Sequence, residues 1–443
     1  MGAKDSLMGR FLGSADKFSD KQVAETLSML VEHGIKRGAS DIHLEPHERF
    51  VLVRYRIDGT LRGVHKLPRA SLGPLVYELK KRAGMDANDT QTPQEGEFSA
   101  TAGARIIEAH VSTMPVFGGE KAVLHLSSQL GKPETLERLG FWGENLQALR
   151  TVLASPHGLV VVAGPRHSGV SSTLFSLLDQ INSPMVNIAT VETDTKHRLP
   201  GVNHTYLGKS GLSIAEGLRA ALKQDPNIIL LGDVPDRATA EMAIHAATTG
   251  HFVLTGLHAD SSVAAALRLR VTGVEPFLLM SAWRVGVGQR LVRGLCANCR
   301  ERYALNTEEQ QQLKKAFGIT TPAAHKRVNQ LERAAAAAGL SRPAEPSSTP
   351  AAITHLWRPH AEGCDQCEHN GYNGRTAIVE VLGNTPALQK GLMDQNVISA
   401  SGLQSFVLKD GFIPMALDGL IKALCGLTTV DEVLRAVAAP SLD

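Results

Sequence analysis

Cysteine is scarce in this chain, with five in 443 residues. That excludes a secreted disulfide framework, which is cysteine-dense. No apolar run approaches the roughly 20 residues that a membrane-spanning helix needs. Charge of one sign is also scarce: 46 Lys plus Arg stand against 44 Asp plus Glu, a formal net charge of +2. A dedicated nucleic-acid binder would show a basic excess, and no basic strip interleaved with aromatics offers a single-strand track. The opening stretch, MGAKDSLMGRFLGSADKFSD, lacks a long apolar core and a small-residue cleavage signal, so it does not read as a secretory leader. Gly2 and Ser6 have myristoylation spacing, a pattern with weight only in a eukaryotic context. The composition that remains, 43% hydrophobic and 20% charged, is that of a soluble globular protein and too apolar for a disordered chain. At roughly 150 residues per domain the length suggests about three domains. The expectation is a large multidomain protein of a reducing compartment.

Residues 1–20 read as a flexible tail. Val23, Leu27, Leu30, Val31 and Ile35 then recur at helical spacing, with Ser19 or Asp20 as N-cap and Gly38 at the helix end. Val51, Val53, Tyr55 and Ile57 alternate with Leu52, Arg54, Arg56 and Asp58. Asp58-Gly59 between two such runs predicts a hairpin whose turn residues take positive φ. With a strand-rich stretch over 98–127, residues 21–128 read as an α+β domain. From about 135 the pattern changes. Short apolar runs at 158–164, 228–232 and 252–257 alternate with helical segments, one starting at Ser171, which predicts a mostly parallel α/β sheet. Residues 331–352, biased to Ala, Pro and Ser, read as an insertion or mobile loop rather than packed structure. Helical periodicity returns after 376, with Thr428 or Thr429 capping a final helix.

Several constellations could carry chemistry. Gly164, Pro165, Arg166, His167, Ser168, Gly169, Val170, Ser171 and Ser172 lie between an apolar strand and a helix. They fit the phosphate loop G-x-x-x-x-G-K-[ST] everywhere except the lysine, which is Val170. An ordinary tight strand–helix turn would account for the same residues. Asp233 ends the apolar run of 225–233, where an acid can polarise water or hold Mg²⁺ through water, or simply end a buried strand. His251 and His258 flank the next apolar run; a histidine at a strand's C-terminal end can face a nucleotide, though more often it is a turn histidine. Cys296-x-x-Cys299 and Cys364-x-x-Cys367 supply four thiolates, the closed set of a structural Zn²⁺ site. One such pair alone could be redox-active. Cys425, amid apolar residues, reads as buried.

Taken in order, these blocks resemble the type II secretion and type IV pilus assembly ATPase family from about residue 21 onward. The quoted matches are ASDIHLEP with RYRIDGTL, STMPVFGGEKAVL (112–124), GPRHSGVSSTLF, IATVET (188–193), DPNIILLGDVPDRATAEMAIHAATTGHFVLTGLHADSS, QRLVRGLC-ANC with GCDQCEHNGYNGRTAIVEV, and DGFIPMALDGLIKALCGLTTVDEVLRAV. The resemblance implies an N-terminal α+β domain (21–128) and a RecA-like P-loop NTPase core (129–295). A tetracysteine zinc module (296–375) containing the insertion and a helical C-terminal subdomain (376–443) would follow. It implies a cytoplasmic ring hexamer, homomeric or mixed with a paralogous ATPase. The ring would bind ATP with Mg²⁺ and sit peripherally at the inner membrane against the platform protein of a pilus or secretion machine, without nucleic acid. The cysteine knuckles favour the assembly and secretion branches over the retraction branch. The family's first N-terminal domain is expected to be absent.

The resemblance implies site roles for Gly164, Gly169, Ser171, Glu192, Asp233, His251 and His258, with Arg54 and Arg56 as trans-acting arginines. The departures bear on turnover. Val170 replaces the phosphate lysine and Asp233 the longer glutamate. In the acidic box T-x-E-D-P-x-E, Thr193 stands at the Asp and Lys196 at the second Glu. Pro235 replaces an Arg and Asn227 an Asp. The sequence therefore predicts a pseudo-ATPase with lost or impaired hydrolysis. The alternative is an active ATPase that uses Arg166, His167 or Lys196 as the missing cation.

Overall fold

The computed structural model describes residues 19–102, 105–128, 132–193, 198–208, 211–340 and 346–438. The expected N-terminal tail up to residue 18, and Lys196, lie outside the described residues. Contacts divide the chain into two compact units, Met1–Gly131 and Lys132–Asp443.

The first unit is a six-stranded antiparallel sheet packed on helices Asp20–Lys36 and Leu72–Arg82. Its strands are β1 (Ala39–Pro46), β2 (Phe50–Ile57), β3 (Thr60–Pro68), β4 (Gln94–Ala102), β5 (Arg105–Val116) and β6 (Gly119–Ser128), in the order β3-β2-β1-β6-β5-β4. The first helix begins at Ser19, whose side chain accepts from the Gln22 N–H while Gln22 reaches back, a capping box. In β2 every second residue is buried, so Val51, Val53, Tyr55 and Ile57 face the helices and Arg54 and Arg56 face the other way. Tyr55 reaches through that core to donate to Leu30 O at 2.8 Å. The turn between β2 and β3 has φ of 50° at Asp58 and 80° at Gly59, as a two-residue hairpin with both residues left-handed requires.

The second unit is built on a seven-stranded sheet. Its strands are β7 (Gly158–Ala163), β8 (Ile188–Glu192), β9 (Val202–Tyr206), β10 (Ile228–Leu231), β11 (Phe252–Leu257), β12 (Trp283–Leu295) and, beyond a small hairpin, β15 (Tyr372–Gly383). The order is β15-β12-β7-β11-β10-β8-β9. Every pair is parallel except β12 with β15. β7, β10 and β11 are buried at every residue, which is why they read as continuous apolar runs rather than alternating ones. Helix Val170–Ile181 follows β7 and starts one residue before the expected Ser171. Thr429, rather than Thr428, caps the last helix, accepting from the Glu432 N–H at 3.3 Å.

The stretch expected as a mobile loop is instead packed where it is described. Residues Pro322–Ala337 form a helix that buries Val328, Leu331 and Ala335 against Trp142, Leu420 and Leu424. Its buried Glu332 accepts from the Ser347 N–H at 2.5 Å and the Ser348 N–H at 2.8 Å, drawing the returning chain onto the helix. Alanines at helical spacing, not low complexity, were the relevant signal. The chain then forms β14 (His355–Arg358) against β13 (Glu301–Ala304).

A buried ion pair anchors helix Met415–Leu424 to β15. Asp418 and Lys422 are both 0% exposed and 2.6 Å apart. Asp418 also accepts from Trp142 Nε1 at 2.7 Å and the Val379 N–H at 2.8 Å, and Lys422 donates to Ala377 O at 2.6 Å. Burial works to lower the Lys422 pKa, against the pull of Asp418. Replacing Asp418 with Leu leaves a buried ammonium without its counter-ion, so urea unfolding should show a loss of about 3–5 kcal/mol. A loss within experimental error would show that the pair does not anchor the helix.

Candidate nucleotide site and cysteine centre

Parallel pairing decides where the functional edge lies. Ala163 sits beside Leu257, and Leu231 beside both Thr255 and Val191. The C-terminal ends of β7, β11, β10 and β8 therefore open on one edge, where open α/β sheets bind ligands. Gly164–Gly169, His258, Asp233 and Glu192 all leave or end strands there.

The loop after β7 is tightly held. The Gly164 N–H donates to Leu257 O and the Ser168 N–H to Pro165 O, each at 3.2 Å. A Cβ on Gly164 would lie 2.2 Å from Ser168 Oγ and 2.7 Å from Gln289 O. Gly169 has φ of 88°, and a Cβ there would lie 2.7 Å from Gln289 Nε2. Both glycines are thus demanded by close approach, and Gly169 by backbone conformation too. Gly169 is also the N-cap of helix Val170–Ile181, with no side chain capping that end. An uncapped helix N-terminus behind a glycine-rich turn is suited to an anion. The buried Ser168 Oγ has no hydrogen-bond partner, a further polar atom available at this turn. Arg166, His167 and Ser172 are exposed, and Pro165 and Ser171 half-buried.

Gln289 and Thr173, not singled out in the sequence, complete the loop. Gln289, 1% exposed on β12, donates through Nε2 to Ser168 O at 2.8 Å and accepts through Oε1 from Thr173 Oγ1 at 2.6 Å. One carboxamide therefore fixes the loop and the first turn of the helix it feeds. Val170 lies on the sheet side, its Cγ1 3.4 Å from where a Cβ on Gly256 would stand. At the position of the loop lysine the chain thus presents a methyl group and no donor.

Of the acids, Glu192 is 5% exposed, and its Oε1 is buried without a hydrogen-bond partner. His204 Nδ1 lies 3.7 Å from that oxygen. Asp233 Oδ2 is 4.0 Å from His258 Nε2, both side chains partly exposed. His251 does not join this group. It precedes β11, where its carbonyl accepts from the Gly158 N–H at 3.1 Å and its Nδ1 donates to Pro226 O at 2.7 Å. At about 3.3 Å per residue, β11 puts it roughly 20 Å from the loop edge. A full strand therefore separates His251 from His258.

In the first unit, Arg54 and Arg56 share the open face of the sheet, and each already has a carboxylate. Arg54 Nη2 is 2.7 Å from Glu45, and Arg56 Nε is 3.1 Å from Asp41, with about a third of each guanidinium side chain exposed (33% and 34%). Burial works to raise the Asp41 pKa. Hydrogen bonds with His125 and Ser40 and the charge of Arg56 outweigh it and hold the carboxyl at about 2.

The four cysteines converge although 68 residues separate Cys296 from Cys364. Their sulfurs all lie within 4.8 Å of one another. Cys296–Cys364, Cys299–Cys367 and Cys364–Cys367 are 3.7, 3.8 and 3.8 Å apart. No disulfide spans such distances, but a tetrahedron with metal–sulfur bonds of about 2.3 Å has edges of about 3.8 Å. The N–H groups of Cys364 and Gly371 point at Cys367 Sγ, each at 3.2 Å. The Asn298 side-chain amide, 3.3 Å from Cys364 Sγ, is the largest influence holding that thiol low, at about 6. Burial, with the crowding of the other sulfurs, pushes Cys299 up to about 12. The donor set fits a Zn²⁺ ion.

The family described as Type II/IV secretion system protein matches residues 16–435. Type II secretion system protein E of Dickeya dadantii is 36% identical over 428 residues, covering 95% of this chain and 76% of that protein. Type IV pilus assembly ATPase PilB of Thermus thermophilus is 32% identical over 450 residues, covering 97% of this chain and 47% of that one. Among solved structures, the Legionella pneumophila ATPase DotB aligns with a TM-score of 0.65 at 16% identity, over 96% of this chain and 98% of its own. The pilus retraction motor PilT with bound ADP gives 0.56 at 20%, over 93% and 97%. At such identities the structural likeness concerns the fold.

Two outcomes are expected. Metal analysis should give about one zinc per chain, and the double variant Cys364→Ser/Cys367→Ser should lose it; zinc retained by that variant would rule the site out. Because the folded-state pKa of Asp41 lies below its unfolded value, its pairing stabilises the fold above about pH 4. That stabilisation fades as pH falls to about 2. Asp41→Asn should flatten the stability profile in that window, and an unchanged acid profile would contradict the pairing.

Proposed function

We infer the function from one premise: the chain belongs to the Type II/IV secretion system protein family. On that premise it is a subunit of the ring motor of a type II secretion or type IV pilus assembly machine. The second unit serves as a RecA-like nucleotide core with a Zn²⁺-bound module. The ring is hexameric, homomeric or mixed with a paralogue. It works in the cytoplasm, peripheral to the inner membrane, against a platform protein.

The nucleotide reading assigns work to residues already described. The loop backbone from Gly164 to Gly169 and the helix N-terminus bind phosphate. Ser171 presents a hydroxyl to Mg²⁺, which when bound neutralises phosphate charge. Glu192 and Asp233, at neighbouring strand ends, orient water, with His258 beside Asp233. Arg54 and Arg56 act on a neighbouring subunit's phosphates, for which each must leave its carboxylate partner; arginine suits bidentate phosphate contact.

The reading further holds that turnover is impaired. The observation that carries it is Val170, whose methyl group rests against the sheet edge at Gly256 where a cation belongs. A charge-assisted hydrogen bond is worth roughly 1.5–3 kcal/mol in binding alone. Asp233 adds a second deficit, a carboxylate about one methylene short of the site, and displacements on the order of 1 Å can cost about 100-fold in rate.

Calorimetric titration with Mg-ATP followed by a hydrolysis assay tests this. Weak binding and negligible turnover are expected of the wild type. Val170→Lys with Asp233→Glu should raise binding first and hydrolysis second, and by more than either change alone, because both serve one transition state. Robust wild-type hydrolysis that vanishes in Ser171→Ala or Glu192→Gln would overturn the impaired reading. It would point instead to Arg166, His167 or Lys196 as the working cation.

A further inference from the structure

We propose that His204 is the positioning residue of Glu192, a role that rests on the nucleotide-site reading above. β8 and β9 pair in parallel with Thr190 beside His204 and Glu192 beside Tyr206. Thr190 and Glu192, two apart on one strand, share a face, and His204 reaches that face from the neighbouring strand. Phe175, from the helix that the phosphate loop feeds, stacks on the imidazole with ring centres 6.2 Å apart. The His204 side chain is 12% exposed.

The hydrogen bonds assign the ring's tautomer. The Leu199 N–H donates to His204 Nε2 at 3.1 Å. A ring nitrogen that accepts carries no proton, so the proton sits on Nδ1. That Nδ1–H faces two acceptors, Thr190 Oγ1 at 3.1 Å and Glu192 Oε1 at 3.7 Å. The second is the buried carboxylate oxygen that has no other hydrogen-bond partner. An unpaired buried oxygen of this kind is costly. A swing of a fraction of an ångström, by the ring or the carboxylate, closes the gap and satisfies it, and hydrogen bonds at such sites often tighten only when ligand is bound. Thr190 shares the proton until then. With Nε2 occupied by the Leu199 N–H, Nδ1 is the donor that aims Glu192. Leu199 also ties the orientation of the acid to the backbone that leads into β9.

The test has one arm that needs no nucleotide and one that does. In ¹⁵N spectra of the ligand-free protein, His204 should show a protonated Nδ1 and a bare Nε2; the opposite tautomer would overturn the proposal. In urea unfolding, His204→Leu and Glu192→Gln should be non-additive, whereas additive losses would show that the two side chains are not coupled. With Mg-ADP as probe, His204→Leu should bind about tenfold more weakly, the loss of one buried hydrogen bond. His204→Gln, whose carboxamide can accept from Leu199 and donate to Glu192, should restore affinity. Equal weakening in Gln and Leu would mean that His204 only fills space. If the wild type binds no Mg-ADP, the nucleotide reading fails, and the tautomer and the unfolding cycle still decide on His204.

Discussion

The carboxamide of Gln289 bonds two segments at once: the loop after β7 at Ser168 O, and the first turn of the following helix at Thr173. Its position is set by β12, which pairs on one side with β7 and on the other with β15. The next strand over acts in the same way on the other face. Glu380 on β15 is wholly buried and accepts from the Ser262 N–H and Oγ and from the Met415 N–H, so it receives the N-terminal ends of two helices. Burial pushes its pKa up, against those hydrogen bonds. Gly288 between them has no room for a Cβ, which would lie 2.8 Å from Glu380. The β12–β15 pair therefore holds the loop after β7 on one face and two helix starts on the other, and the geometry of that loop depends on its register.

Much of this was legible in local sequence. The capping residue Ser19, the Asp58-Gly59 turn, the alternation in β2 and the uniformly apolar β7, β10 and β11 each follow from short-range chemistry. So does the phosphate loop, because glycine spacing and strand–helix context lie within a few residues. What escaped was non-local. Gln289 and His204 acquire their roles only when β12 comes beside β7 and β9 beside β8, and no period or motif announces either pairing. His251 and His258 lie seven residues apart in sequence, and the strand between them puts them at opposite edges of the sheet. In the Ala-rich stretch the bias of composition masks a helical period that buries Val328, Leu331 and Ala335.

The site keeps the conformational demands of an anion cradle and changes its charge. Left-handed Gly169, the close approach at Gly164 and the uncapped helix start are features of shape, and all are present. The two acids at neighbouring strand ends each have a histidine within 4.0 Å, and the loop contributes valine where the family pattern has lysine. The packing that folds the domain also sets that shape, whereas the charge at the loop rests on single side chains.

The cysteine cluster closes the chain's excursion between β12 and β15 at its root, with 68 residues separating Cys296 from Cys364. In a flexible-chain estimate, doubling the excursion's length would cost only about 0.6 kcal/mol in closure entropy. The β12–β15 register, and with it Gln289, would be unmoved by such growth. Length added at an exposed turn of the excursion, away from the helix that packs on Trp142, Leu420 and Leu424, should therefore leave the loop after β7 as it is.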